Sequence, residues 1–477
     1  MNHIFELPYC DTNGLFFDDL GHTAHKPKIL ADSNSQIDGS AVFSVLQFGA
    51  IIPPLSPWRG IHRFMPGYQY RGTELVGPLK LEFLPQEYLD TEQQADKLEC
   101  VLDRCLKDVI GENLDPILLF SGGVDSGLIA SRLAILGYRD CLLLNYCFGE
   151  EDKESQLAEA MAKHLGLRFE RIIDKSNFCD CLIDPGHIYP QPFGDQSVVP
   201  ASGLAHAVVD RLAGSHRVIL DGTGADGAFG MVNKISIWNE VMRIPAIIRQ
   251  AASFFYDASL WHRKSRLEYM FRILRRSTIM PFLSAVIAQN PLAGCVYKTF
   301  PTNEVHNMLW EWVGGYGGES LTHLIVATDL ALVCANIFAQ KAQPILELAG
   351  HQVGYPFLQT EMVTAAIESV NYWQMKEPKE PLKRSLARHI PHEMVYRPKS
   401  GFLDYQNKVF FERDFIAYLR ASVDSTSPIS SFLISKNLIK ACDLLSRRSE
   451  LPPQTLSCLW AITFLDRWYR TALIMEK

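Results

Sequence analysis

A chain of 477 residues, 47% of them hydrophobic and 21% charged, carries enough apolar side chain for a large core, which excludes intrinsically disordered and collagen-like classes. Its 46 basic and 53 acidic residues leave a net charge of -7, which argues against a general nucleic-acid binder. The first residues lack a cationic segment followed by an apolar run, and the 11 cysteines include no CxxC, so a cytoplasmic protein with buried thiols is expected.

Residues 1 to about 40 are rich in turn formers and poor in periodicity, which predicts a flexible or edge segment. From Ala41 to about Glu87, β-type runs are broken by turn formers, so residues 1–90 read as a truncated, β-containing N-terminal region. Leu98, Val101, Leu102, Cys105, Leu106 and Ile110 then recur at helical spacing. PILLF at 116–120 is a short apolar run of the kind buried in parallel sheets, and it leads into SGGVDS and a helical GLIASRLAIL. CLLLNYCF, ESQLAEAMAKHLG, RFERIID and RVILDGTGADGAFG continue the alternation, which predicts an α/β fold with a parallel sheet flanked by helices. Residues 231–320 read as a helical insertion, with eight Arg or Lys against two Asp or Glu between Val241 and Met280. The apolar stretch from Leu321 contains His323, Asp329 and Asn336, which suits a core helix better than a membrane span. Helices are expected from there to the end, so 91–477 reads as one domain carrying the insertion.

A glycine pair between a buried strand and a helix lets backbone N–H groups approach an anion, and the helix N-terminus adds partial positive charge. SGGVDS at 121–126 therefore reads as a phosphate cradle, although no GK[ST] follows it as in the Walker pattern. Ser121 and Ser126 supply hydroxyl donors. Asp125 would repel phosphate unless a divalent cation lay between them, which points to magnesium.

These segments resemble the PP-loop ATP pyrophosphatases, and more closely the synthetase domain of asparagine synthetase. QFGAIIPPLSPWRGIHRFMPG, DQSVVP at 195–200, GTGADGAFG at 222–230, VGYPFLQ at 353–359 and KRSLARHIPHEMVYRPKSGF at 383–402 match family patterns in order. The resemblance implies a PP-loop sheet and ATP chemistry, in which a carboxylate is adenylated, pyrophosphate leaves, and an amine attacks to give an amide and AMP. It further implies that Ser121, Gly122, Gly123, Asp125 and Ser126 hold pyrophosphate, that Asp125 and Asp226 ligate Mg2+, and that Asp221 and Gly222 lie near the nucleotide. Lys399, in RPKSGF, would neutralise charge at the α-phosphate, with Lys383 a second candidate.

Asparagine synthetases begin with a nucleophilic cysteine on a glutaminase domain, whereas residue 2 here is Asn and 120 residues precede Ser121, so glutamine hydrolysis is not expected. Thr223 stands where asparagine synthetase has Glu and β-lactam synthetase Tyr, and Gln352 aligns with a family Glu; neither is a useful base near neutral pH. That favours a peptide's N-terminal amine as nucleophile, as in the lasso-peptide macrolactam synthetases of this superfamily. A small-molecule lactam synthetase, an ammonia-dependent amide synthetase and a nucleotide-binding scaffold are the rival readings. The expected partners are a peptide, or a small carboxylate and amine, with a peptide-processing protease or leader-binding protein as candidates beside it. The insertion's Arg263, Lys264, Arg266, Arg272, Arg275 and Arg276 read either as a peptide-holding surface or as a solvated helix face.

Overall fold

The structure is a computed structural model that describes the chain apart from residues 1–3, 33, 80–88, 114, 150, 174, 176, 232–234, 236–239, 241–242, 249–250, 252–295, 299–301, 315–320, 371–374, 376, 398–407, 449–450 and 473–477. Six strands come first: β1 (Ile4–Glu6), β2 (Phe16–Asp18), β3 (Thr23–Ala24), β4 (Ile61–Arg63), β5 (Tyr68–Arg71) and β6 (Glu74–Pro78). They form two antiparallel three-stranded sheets, ordered β1-β5-β6 and β3-β2-β4. The segment expected to be flexible or at an edge contributes three strands, of which β1 and β3 are edge strands, and Tyr9 and Phe16 within or beside them are buried. Two of its strands take distant partners, β1 pairing with β5 and β2 with β4, and such pairing leaves no local periodicity, while β3 folds back on β2. Between β3 and β4 the run GSAVFSVLQF forms a helix, Gly39–Phe48, capped by Asp38, whose side chain accepts from the N–H groups of Ser40 and Ala41.

The expected α/β fold follows. The helix Thr91–Ile110 opens on a capping box between Asp90 and Gln93 and buries the predicted stripe from Leu98 to Ile110. β7 (Ile117–Leu119), β8 (Leu142–Cys147), β9 (Arg168–Ile173), β10 (Val218–Leu220) and β11 (Gln352–Gly354) build one sheet in the order β11-β10-β7-β8-β9, every pair parallel. The central strands β7 and β10, Ile-Leu-Leu and Val-Ile-Leu, are buried at every position, as a sheet covered on both faces requires. β11 was not anticipated, because QVG is only three residues long and sits among segments expected to be helical; its register against Val218, Ile219 and Leu220 defines it as a strand.

The apolar stretch from Leu321 forms the helix Leu321–Thr328, continued by a π-helical segment over Asp329–Phe338. The window Leu324–Lys341 is long and apolar enough to cross a membrane, but 83% of it is buried inside the protein, where it packs as a core helix. Of the expected insertion, the structure describes the helix Thr302–Gly314 and short stretches around it, while Arg263 to Arg276 lie outside the described residues.

The last helix, Pro453–Ala472, ties the two ends of the chain together. Trp460, Phe464, Trp468 and Tyr469 are buried; Trp460 stacks on Phe415 at 5.9 Å between ring centroids, and the Tyr469 hydroxyl donates to the Pro57 carbonyl at 3.0 Å. Gly186 lies against this helix: its N–H donates to Thr471 Oγ1 at 2.7 Å, and a Cβ there would stand 2.3 Å from the Ala472 nitrogen. Backbone cannot retreat as a side chain can. Gly186→Ala is expected to cost about 1–3 kcal/mol, measured as a lowered urea midpoint, with catalytic parameters of the remaining folded protein unchanged.

Candidate active site

β7 ends at the loop Ser121–Gly123, and β10 ends at Asp221–Gly224. These strands are adjacent, and the chain moves outward from them in opposite directions, to β8 and β9 on one side and β11 on the other. Loops leaving such neighbours diverge and open a crevice at the carboxyl ends of the strands, the place where ligands bind in open α/β sheets.

The first loop is shaped by Gly122. Its φ of 68° is left-handed, and a Cβ would lie 2.8 Å from Ala158 Cα, so only glycine allows the loop to press against the helix Lys153–Leu165. Ser121 N donates to Ser126 Oγ and Gly123 N to Ser121 Oγ, each at 3.2 Å, and the two hydroxyls are also 3.2 Å apart. The helix Val124–Ile135 starts at Gly123 with no side-chain cap, which leaves first-turn N–H groups for an anion. Arg397 braces the loop, with Nη2 donating to the Gly122 carbonyl at 3.3 Å and Nη1 paired with Glu154 at 2.6 Å.

The second loop brings a carboxylate to face the first. Lys379 Nζ lies 2.6 Å from Asp125 Oδ2 and 2.6 Å from Asp226 Oδ1, and so bridges residues from both loops. Lys379 and Asp125 side chains are only 13% and 16% exposed, while Asp226 is 67% exposed and marks the mouth. Burial pulls the Lys379 ammonium down, but Asp125 and then Asp226 outweigh it and hold its pKa above the ordinary lysine value. Gly222 packs close to Asp125, a Cβ there standing 3.2 Å from the Asp125 Cβ.

Ser121, Asp125, Ser126, Asp221, Gly222, Thr223 and Asp226 line one cavity of about 320 Å³, with Leu144, Tyr146, Cys334, Phe338 and Lys341 among its other walls. Asp221 is half-buried; desolvation raises its pKa, and the bonds from Thr223, whose N–H donates at 2.6 Å, only partly offset that. At the far wall Lys341 Nζ pairs with Asp195 Oδ2 at 3.0 Å, donates to Ser197 Oγ and sits 4.0 Å from the Phe338 ring centroid. Burial drags Lys341 below its usual pKa despite Asp195. Asp195, though burial raises it, is held below its own by Lys341 and by Ser197.

The predicted phosphate and carboxylate residues therefore converge, with Gly122 and Gly123 forming the loop itself. Lys399 lies outside the described residues. Lys383 pairs with Glu377 and does not line the cavity. The spacing K-x-x-L followed by a basic residue fits one turn earlier, as Lys379-Glu-Pro-Leu-Lys383, whereas Ala387 follows the run that starts at Lys383; the earlier register identifies the lysine that does reach the carboxylates. Lys341 was missed because its partner Asp195 is 146 residues away and nothing local marks it. Thr223 is at the cavity, whereas Gln352 opens β11 at the opposite end of the strand and is exposed in a separate groove.

Two carboxylates suit Mg2+ only if phosphate oxygens and water complete the octahedron. Among the described residues no group of three or more His, Cys, Asp or Glu could hold a metal without such help. Asp125 and Asp226, beside a phosphate-type loop, fit an ion that arrives with a nucleotide.

A parallel α/β sheet with a PP-loop type cradle at its switch point defines a nucleotide-binding enzyme class. Residues 98–470 match the family described as asparagine synthase, and the chain belongs to that family of ATP-dependent amide ligases. No individually curated protein matches it.

Gly122→Ala should weaken ATP binding by about tenfold or more, read by titration of a fluorescent ATP analogue, because the left-handed loop must rebuild. Lys341→Met should lower unfolding free energy by about 3–5 kcal/mol by leaving Asp195 buried without its cation, and adding Asp195→Leu should recover much of that loss in chemical denaturation.

Proposed function

We propose that this protein adenylates a carboxylate with MgATP and passes the acyl group from AMP to an amine, closing a macrolactam between a peptide's N-terminal amine and an Asp or Glu side chain. The observation that carries the adenylation is the meeting of Asp125, Asp226 and Lys379 beside the Gly122 loop, at the mouth of a cavity at the sheet's switch point. A carboxylate oxygen attacks the α-phosphorus and pyrophosphate departs; the amine nitrogen then attacks the acyl carbon, AMP departs, and the amine's proton passes to solvent. Ser121, Gly122, Gly123 and Ser126 hold the leaving phosphates, with the free N–H groups of the helix start behind them. Asp125 and Asp226 would hold the ion, which would supply charge neutralisation to the phosphates. Lys399 is assigned to the α-phosphate.

The amine class rests on Thr223. A threonine hydroxyl at the cavity cannot take a proton near neutral pH. A peptide α-amino group, with a pKa of about 7.7 to 8.0, is substantially neutral at pH 8 and needs positioning more than deprotonation. Such a substrate implies a processing protease or leader-binding protein as partner.

The test incubates the protein with ATP, Mg2+ and a linear peptide bearing an N-terminal Gly and an Asp or Glu several residues on, with any processing protein its peptide requires. Aspartate plus ammonia is run in parallel. Loss of one water from the peptide with matching AMP release is the expected result, absent from Asp226→Asn and Lys399→Met. AMP formed only with aspartate and ammonia would instead establish an amide synthetase of small acids, and ADP in place of AMP would overturn the adenylation.

A further inference from the structure

Nothing in the proposed chemistry explains why a lysine should occupy the gap between the two carboxylates assigned to the metal. Lys379 Nζ is 2.6 Å from the facing oxygens of both Asp125 and Asp226, from loops that leave different strands. A divalent ion held by the same two oxygens, at bond lengths of about 2.0–2.1 Å, would compete with the ammonium for the same small space and repel it. The two cations are alternatives.

The backbone of Lys379 is held in place. It has a left-handed φ of 63°, uncommon for a residue with a Cβ, its N–H donates to the Phe229 carbonyl at 2.8 Å, and it directly precedes the helix Glu380–Leu386. Four side-chain bonds remain to move Nζ. The nearby destination that offers compensating charge is a nucleotide phosphate on the Ser121–Ser126 loop, since Asp125 belongs to both the pair and that loop's helix.

We propose that Lys379 is a phosphate ligand that occupies the metal's place until nucleotide arrives, so that the site takes its divalent ion only together with ATP phosphate. The inference rests on the assignment of Asp125 and Asp226 as metal ligands. In the free enzyme the ammonium neutralises one of two facing carboxylates' charges and keeps them from repelling each other. When a triphosphate enters with its ion, the ion takes the carboxylate oxygens and Lys379 turns to a phosphate oxygen, so every charge keeps a partner throughout. Metal and nucleotide then bind with positive coupling, each raising the other's affinity by the same factor.

The test uses Mn2+ as the probe, followed by electron paramagnetic resonance on the full chain, with α,β-methylene-ATP as a nucleotide that cannot be cleaved at the relevant bond. Wild-type protein alone should leave Mn2+ free, and should immobilise it once the analogue is added. Lys379→Met should bind Mn2+ without nucleotide at least about tenfold more tightly than wild type, and Asp226→Asn in that background should remove the gain. Lys379→Gln, which keeps polarity and length, serves if Lys379→Met does not fold; it should shrink the factor by which Mn2+ and the analogue strengthen each other. Wild type binding Mn2+ alone as tightly as the Lys379 variants, or variants that gain nothing while the analogue still recruits the ion, would overturn the exchange and leave the metal ligands standing. Failure of the protein to immobilise Mn2+ under any of these conditions would overturn the carboxylate assignment itself.

Discussion

Parallel pairing of β7 with β10, through Ile219 against Ile117 and Leu220 against Leu118, is the constraint from which the site follows. Both strands are wholly apolar and buried, so the sheet centre has no freedom to slip without placing aliphatic side chains where backbone must pair. Fixing those two strands side by side fixes where their exits lie. The chain turns one way after β7 and the other way after β10, and two loops with glycines at their tightest points are left facing each other. Asp125 and Asp226 are brought together by sheet topology, although about a hundred residues separate them in sequence.

Charge is distributed over that cavity in two unlike ways. At the mouth, two carboxylates share one lysine, leaving a net negative charge beside water that a dication can use. At the far wall Lys341 and Asp195 form a closed pair in which each partner offsets the other's desolvation, and Ser197 completes it. The first arrangement is poised for exchange with a ligand, the second is a fixed part of the cavity wall. Between them the lining is largely apolar, from Leu144 to Phe338, which raises the effective strength of both.

Much of this was legible in the sequence because it is local. A run such as PILLF, followed at once by SGGVDS and a helical pattern, records strand, turn and helix within twenty residues, and the glycine at 122 announces a backbone that other residues resist. What was hidden is long-range. β1 and β2 are short and pair with segments more than forty residues away, β11 owes its existence to β10, and two overlapping K-x-x-L runs offer both Lys379 and Lys383, of which the side-chain positions single out Lys379. Gln352 shows the converse error: alignment placed it with Thr223, but a residue at the amino end of a parallel strand cannot also stand at the carboxyl end of its neighbour.

The contact between Tyr469 and Pro57 spans 412 residues, and the helix that carries Tyr469 also covers Trp58. Trp58, and the apolar face of the helix Gly39–Phe48 beside it, therefore have no lid while the intervening chain is being made. At roughly 5–20 residues per second that interval lasts roughly 20–80 s. Trp58 and that helix face stay uncovered through it, so the N-terminal part of the core closes only when the last helix of the chain has been made.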